Sequence, residues 1–100
     1  MGNELAFMVT ITALSGQENL LKRKLLLVSE ALKQAPGCLH YELNQDKVSP
    51  GVFIVLERWD TRDNWVNLTK IKEFEVFLNE KSQYVSDFEI KELQRISFSS

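Results

Sequence analysis

Two strand-like segments separated by a short turn restrict the fold of this chain more than any other feature. The segments Cys38–Asp46 and Val52–Trp59 are rich in β-branched, aromatic and other apolar residues, and only residues 47–51 lie between them. That connection contains the dipeptide Pro50-Gly51, and strands joined by three to five residues with a glycine form a hairpin. The sequence therefore predicts an antiparallel hairpin near the middle of the 100-residue chain.

One strand and one helix are predicted before the hairpin. Leu5–Leu14 has the composition of a strand whose two faces are both at least partly covered. Gln17–Gln34 carries apolar residues at helical spacing and is followed by Pro36-Gly37, which ends the helix. Ser15 is predicted to cap this helix, with Glu18 completing a capping box.

A second helical region and a last strand are predicted after the hairpin. Asp60 or Thr61 is placed to cap the helix. Its apolar positions are Leu68, Ile71, Phe74, Phe77 and Leu78. Thr69-Lys70 is a candidate break into two shorter helices. Asp87–Phe98 is predicted as the final strand, and the serine-rich residues 97–100 as a frayed end.

The resulting order, β-α-β-β-α-β, predicts a single α+β domain of the ferredoxin-like class over residues 1–100. Right-handed crossovers place both helices on one face of a four-stranded antiparallel sheet. The other face would be bare in a monomer, and an apolar sheet face needs a cover. Two such faces paired through a two-fold axis provide one, so the sequence predicts a homodimer.

Composition narrows the range of partners and locations. The chain has 12 basic and 14 acidic residues and a net charge of −2, which argues against binding to nucleic acid or to an anionic membrane. No apolar run approaches the roughly 20 residues of a membrane span. No basic segment precedes an apolar run at the N-terminus, so no signal peptide is predicted. The single cysteine excludes an internal disulfide and fits the cytoplasm.

Residues around the hairpin resemble a known family. The segment Pro36–Leu43 reads PGCLHYEL, Asp46 and Pro50-Gly51 follow, and Glu57–Asp60 reads ERWD. This combination resembles the antibiotic biosynthesis monooxygenase domain family. The resemblance implies a dimeric α/β-barrel with a small apolar pocket in each subunit. The resemblance also implies a range of activities among the relatives. Some oxygenate polycyclic aromatic compounds with dioxygen and no cofactor, others degrade haem, and others have no known activity.

The second helical region departs from that family. Many members carry histidines a few residues past the tryptophan of the ERW motif. The corresponding positions here are Asn67 and either Lys72 or Glu73. The axial ligand that a haem-degrading relative would use is therefore missing, as is the readiest proton acceptor of that pocket wall.

Glu57 and Trp59 share one face of the second hairpin strand with Val55 and Phe53. A carboxylate on an apolar face must be paired, hydrogen-bonded or shifted in pKa. Glu57 is accordingly either a proton acceptor or a structural tie. Trp59 is either a pocket wall that stacks on a flat substrate or a core residue.

Tyr41 and His40 lie on opposite faces of the first hairpin strand. A register that pairs Asp46 with Val52 places Tyr41 directly across from Glu57, where it can donate a hydrogen bond to a substrate or form a buried structural pair. His40 is the only histidine, and in the same register it faces Arg58. Catalysis and a polar dimer contact are its two interpretations. Cys38 is interpreted as a small buried residue.

Two functions remain open on the sequence alone. The first is a cofactor-independent monooxygenase of a small aromatic or quinol-like metabolite, with Glu57 or His40 as catalytic groups. Its predicted substrate-binding residues are Trp59, Tyr41, Asn67, Phe74 and Phe77. The second is a non-catalytic dimeric domain that binds a metabolite or a protein. No clustered metal ligands, phosphate loop or dinucleotide motif is present, so neither a metal nor a cofactor is predicted.

Overall fold

The computed structural model describes residues 4–97, which form a four-stranded antiparallel sheet with helices on one face. The elements are β1 (Leu5–Ala13), α1 (Glu18–Leu32), β2 (Cys38–Gln45), β3 (Val52–Trp59), α2 (Arg62–Val66), α3 (Lys72–Glu80) and β4 (Val85–Leu93). Short 3₁₀ helices, Asn67–Lys70 and Lys81–Gln83, follow α2 and α3. The strand order β2-β3-β1-β4 confirms the predicted ferredoxin-like arrangement. No helix within residues 4–97 has the length and apolar character of a membrane span.

The core lies between the sheet and the helices because side chains alternate strictly along the two central strands. Phe7, Val9, Ile11 and Ala13 of β1 are buried, as are Phe53, Val55, Glu57 and Trp59 of β3. On α1 the buried leucines and valine recur every three or four residues, which gives the helix one apolar face. Leu68, Phe77 of α3 and Tyr84 complete the core.

The hairpin has the predicted register. The Asp46 N–H donates to the Val52 carbonyl oxygen at 2.9 Å, Tyr41 pairs with Glu57, and His40 pairs with Arg58. The register shifts by one residue between Cys38 and His40, so that β2 begins with a bulge.

The last strand differs from its predicted limits. β4 begins at Val85, two residues before the predicted start, and ends at Leu93; Phe98 lies outside the described residues. A bulge opposite Thr12 and Ala13 makes Ser86 an extra residue. The Ser86 hydroxyl donates to the carbonyl oxygens of Thr12 at 3.2 Å and Ala13 at 3.3 Å. This interruption of the two-residue alternation conceals the start of the strand in the sequence.

The predicted caps have different outcomes. Ser15 is not the cap of α1, because the helix starts after Gln17 and has no side-chain cap; Glu18 instead accepts a hydrogen bond from the Gly16 N–H at 3.2 Å. The Thr61 hydroxyl oxygen does cap α2, accepting from the Asn64 N–H at 3.1 Å. The predicted break in the second helical region is confirmed as the 3₁₀ helix Asn67–Lys70.

The outer face of the sheet carries apolar side chains at its centre and polar ones at its edges. Met8, Ile54 and Leu56 are half-buried on β1 and β3, and no other described element covers them. His40 and Glu42 lie on the β2 edge of this face, 3.2 Å apart. The centre is therefore the part of the sheet suited to a second sheet.

Gly37→Ala is expected to destabilise the protein by about 2 kcal/mol or more, because the site combines a left-handed backbone with a lack of space. Gly37 has φ 84°, and an added Cβ would lie 2.3 Å from Asp60 Oδ1 and 2.4 Å from Asn64 Nδ2. Gly16→Ala is the matched control, because its φ is 86° but no atom lies within 4 Å of the added Cβ. Urea unfolding measures both, and equal losses would contradict the steric argument.

Candidate active-site cavity

A cavity of about 310 Å³ lies between the inner face of the sheet and the helices. Strands β1, β3 and β4, together with Tyr41 of β2, form its floor, α1 forms one wall, and the segment from Trp65 to Leu78 forms the other. Almost all lining atoms are apolar, and among residues 4–97 only four lining side chains carry a nitrogen or oxygen: Tyr41, Glu57, Trp65 and Thr69. A dry cavity of this size with a few polar groups is the usual form of a small-molecule site.

Glu57 places a buried carboxyl on the cavity floor. The residue is 6% exposed, and the Trp59 indole N–H donates to Oε1 at 3.1 Å. Burial raises the pKa of the Glu57 carboxyl above its ordinary value, and the indole groups of Trp59 and Trp65 oppose this by stabilising the charged form. A carboxyl with a raised pKa holds its proton more tightly than an exposed glutamate does, and it is a stronger base once it is ionised.

The titratable neighbours of Glu57 remain neutral. Tyr41 lies across from it in the sheet, and burial together with the Glu57 charge raises the pKa of the Tyr41 phenol far above its usual range. The same two causes raise the pKa of the Cys38 thiol, which donates to the His40 carbonyl oxygen at 3.7 Å. Tyr41 therefore keeps its hydroxyl proton at neutral pH and can donate a hydrogen bond beside the Glu57 carboxyl.

Trp65 is a cavity residue that the sequence did not reveal. Its ring stacks on Phe7 with 4.3 Å between ring centroids, and the Arg62 guanidinium lies 5.7 Å from its centroid. Arg62 also donates to Glu92 of β4 at 2.7 Å. The sequence signal that could have identified Trp65 was its position as an aromatic residue four places after Thr61, the cap of α2. Because α2 has only five residues, it shows no helical period that would identify Trp65 as inward-facing.

The structure brings four of the predicted site residues together. Tyr41, Glu57, Phe74 and Phe77 all line the cavity. The Phe74 and Phe77 rings lie 6.4 Å apart. They form an aromatic wall, and Trp65 adds a further ring to the lining.

Three predicted site residues lie elsewhere. Trp59 is 0% exposed and outside the lining, because it pairs with Leu5 and Cys38 at the end of the sheet. It is a core residue that holds Glu57. Asn67 is exposed at the start of the 3₁₀ helix. Its neighbours Val66 and Leu68 line the cavity in its place. Strand alternation places His40 on the outer face, away from the cavity.

The described part of the chain contains no group of three or more histidine, cysteine, aspartate or glutamate side chains able to hold a metal ion. The polar chemistry that the structure shows in the cavity is therefore that of Glu57, Tyr41, Trp65 and Thr69.

Several solved structures share this fold. The Pseudomonas aeruginosa protein PA3566 superposes with a TM-score of 0.91 at 26% identity, covering 97% of this chain and 98% of its own. The Shewanella oneidensis protein SO0527 gives 0.86 at 14% identity, covering 93% and 91%. An antibiotic biosynthesis monooxygenase of known structure gives 0.85 at 18% identity, covering 93% and 99%. No curated protein matches this chain.

The model of the antibiotic biosynthesis monooxygenase family matches residues 5–80 of the chain. The matched range runs from the first residue of β1 to the last residue of α3. It includes Tyr41, Glu57 and the aromatic wall. The chain therefore belongs to the antibiotic biosynthesis monooxygenase family.

Proposed function

We propose that this protein oxygenates a flat aromatic, quinol-like small molecule in the cavity, using dioxygen and no cofactor. The observation that carries the proposal is Glu57, a buried carboxyl with a raised pKa on the floor of an otherwise apolar cavity of about 310 Å³. A cavity of this kind retains apolar aromatic compounds and excludes water. Membership of the family supports the oxygenase assignment.

The reaction can be written for an anthrone-like substrate, in which a CH₂ group is acidified by flanking rings and a carbonyl across the ring. Glu57 takes one proton from the CH₂ group and leaves a delocalised carbanion. The carbanion gives electrons to dioxygen and a C–O bond forms, and the resulting peroxide anion takes the proton back from Glu57 to give a hydroperoxide. Cleavage of the O–O bond with loss of water yields a new carbonyl. In total, CH₂ and O₂ become C=O and H₂O, and the four electrons lost by carbon reduce dioxygen.

The other cavity residues have supporting roles in this scheme. The Tyr41 phenol donates to the substrate oxygen, where negative charge collects after the proton is removed. Trp65, Phe74 and Phe77 contact the substrate rings and fix their orientation. The apolar surroundings strengthen each of these electrostatic contacts because they exclude water.

The test is oxygen uptake by purified protein with a panel of anthrone- and quinol-type compounds. We expect one O₂ consumed per product and one atom of ¹⁸O incorporated from ¹⁸O₂. Protein that binds a panel compound in the cavity, seen by quenching of tryptophan fluorescence, and still consumes no oxygen would contradict the proposal.

A second function has one observation in its favour. Within residues 4–97, Glu57 is the only lining side chain with a carboxyl group that could accept a proton, and no histidine lies on the cavity wall. A binding domain needs no such acceptor. Tight binding of a panel compound with no turnover, unchanged in Glu57→Gln, would favour this non-catalytic function.

The protein is also proposed to be a homodimer that pairs its sheets through their outer faces. Ile54→Lys places a charge at the centre of this face and is expected to convert the dimer to a monomer. Val48→Lys is the matched control, because Val48 is 90% exposed in the hairpin turn. Sedimentation equilibrium measures both; a dimer that survives Ile54→Lys would contradict this interface.

A further inference from the structure

A second cavity, separate from the first, lies on the outer side of the helices. This groove has a volume of about 300 Å³ and runs between α1 and α3, with Tyr84 at one end. Of the residues that the structure describes, only Val28 and Phe77 line both the groove and the active-site cavity. The polar groups of the proposed reaction are absent from the groove, so its chemistry has to be considered independently.

The groove has an apolar centre between two polar ends. Leu27 of α1 and Val76 of α3 lie at the centre and are 64% and 41% exposed. Lys24 and Glu80 face each other at one end, with 3.5 Å between Nζ and Oε1. Lys72 and Glu73 lie at the other end. Along α3 they are about 11 Å from Glu80, at a helical rise of about 1.5 Å per residue. The groove therefore fits an elongated apolar molecule.

In the described part of the chain, two oxygen atoms at the Tyr84 end have no hydrogen-bond partner. Tyr84 is 1% exposed, and within residues 4–97 its hydroxyl neither donates nor accepts a hydrogen bond. The same holds for Glu80 Oε1, since the Lys24 ammonium is near it without hydrogen-bond geometry. A covered hydroxyl such as that of Tyr84, left unpaired, costs roughly 1 to 3 kcal/mol. The Glu80 side chain is more than one-third exposed and keeps its ion pair with Lys24. Burial and the Glu80 charge also raise the pKa of the Tyr84 phenol.

We propose that this groove binds a small amphipathic amine. The ammonium group takes the place of Lys24 beside Glu80 and donates hydrogen bonds to Glu80 Oε1 and to the Tyr84 hydroxyl oxygen. The apolar chain lies along the groove over Leu27, Val76 and Phe77. Its length is about 11 Å, the distance between the two polar ends.

The negative charge of Glu80 favours an amine over other head groups. An ammonium donates to both oxygens and pairs its charge with Glu80, whereas an alcohol, which can donate to Glu80 and accept from the Tyr84 hydroxyl, brings no charge. A carboxylate would be repelled by Glu80. Lys24 can yield its place because an ion pair this exposed contributes little, about 0 to 1 kcal/mol.

The experiment is titration of the ¹⁵N-labelled chain with octylamine at neutral pH. We expect saturable amide shifts confined to α1, α3 and Tyr84. Tyr84→Phe is expected to weaken binding by about tenfold, which corresponds to the loss of one hydrogen bond. Lys24→Met is expected to tighten binding severalfold, because the competing ammonium is removed. Lys22→Met is the matched control on the same helix, outside the groove, and should leave the affinity unchanged.

Three outcomes would overturn the proposal. Equal affinity for octylamine, octanol and octanoate would show an apolar patch without head-group recognition. Unchanged affinity in both Tyr84→Phe and Lys24→Met would show that the two oxygens take no part. Shifts that depend on protein concentration and are lost with Leu27→Glu would show that a second copy covers the groove. None of these results depends on turnover, so the oxygenase proposal stands or falls separately.

Discussion

Glu57→Gln is expected to lower the rate of oxygenation by a factor of about 10² to 10⁴, the usual contribution of a positioned general base. Glutamine keeps an oxygen that accepts the Trp59 indole N–H, so the packing around the site is retained. Only the ability to take the proton is lost. Oxygen uptake under saturating substrate measures the change, and binding of the substrate serves as the control for an intact cavity.

The wild-type rate should rise with pH as Glu57 loses its proton. Because burial raises the pKa of this carboxyl, the midpoint should lie above the ordinary glutamate value of 4.5. Tyr41 and Cys38, the titratable groups that face Glu57, have raised pKa values and stay neutral there. The residual rate of Glu57→Gln should not rise with pH in this range. If the rate of that variant still rises with pH, the proton is transferred to another group.

The same substitution separates a functional carboxyl from a structural tie. A raised pKa means that folded protein holds the Glu57 proton more tightly than unfolded protein does, so wild-type stability falls as pH rises from the unfolded pKa through the folded one. Glutamine has no such loss. The stability of Glu57→Gln relative to wild type should therefore increase with pH in urea unfolding. A variant that is less stable than wild type at alkaline pH would favour the structural interpretation.

Trp59→Ala is expected to destabilise the protein by about 3 to 5 kcal/mol, the usual cost of removing a large buried aromatic ring. Trp59 is 0% exposed and belongs to the main core cluster. Trp59→Phe keeps most of the packing and should cost less. Urea unfolding followed by far-ultraviolet circular dichroism measures both variants.

Trp59→Phe has a further consequence for the active site. It removes the hydrogen bond that favours the charged form of Glu57, so the pKa of the carboxyl should rise further. The rising limb of the rate should then move to higher pH. A limb that stays in place while stability falls would limit Trp59 to a packing role.

The sheet and its inner face could be predicted because the responsible signals are local. The short turn at Pro50-Gly51 and the strict alternation of β3 determine the register, and the register alone brings Tyr41 opposite Glu57. The same alternation determines that His40 lies on the other face. How far the cavity extends along the strand is not contained in this pattern, which is why Trp59 lies on the predicted face and still lies outside the cavity.

The helical wall of the site could not be predicted to the same extent. Trp65 lies in a helix of five residues, and Asn67 begins a 3₁₀ helix whose repeat differs from that of an α-helix. A change of helix type rotates the following side chains relative to an unbroken helix. Which of residues 65–69 face inward is decided by packing on Phe7 and β4, which are distant in sequence.

The cavity lining around the 3₁₀ helix Asn67–Lys70 should tolerate substitution better than the lining on the sheet does. Floor residues such as Val55 and Glu57 also hold the sheet together, so most changes there reduce stability. Val66 and Thr69 line the cavity from a largely exposed segment and contribute little to the core. Substitutions at these positions should therefore change the shape of the cavity at a small cost in stability.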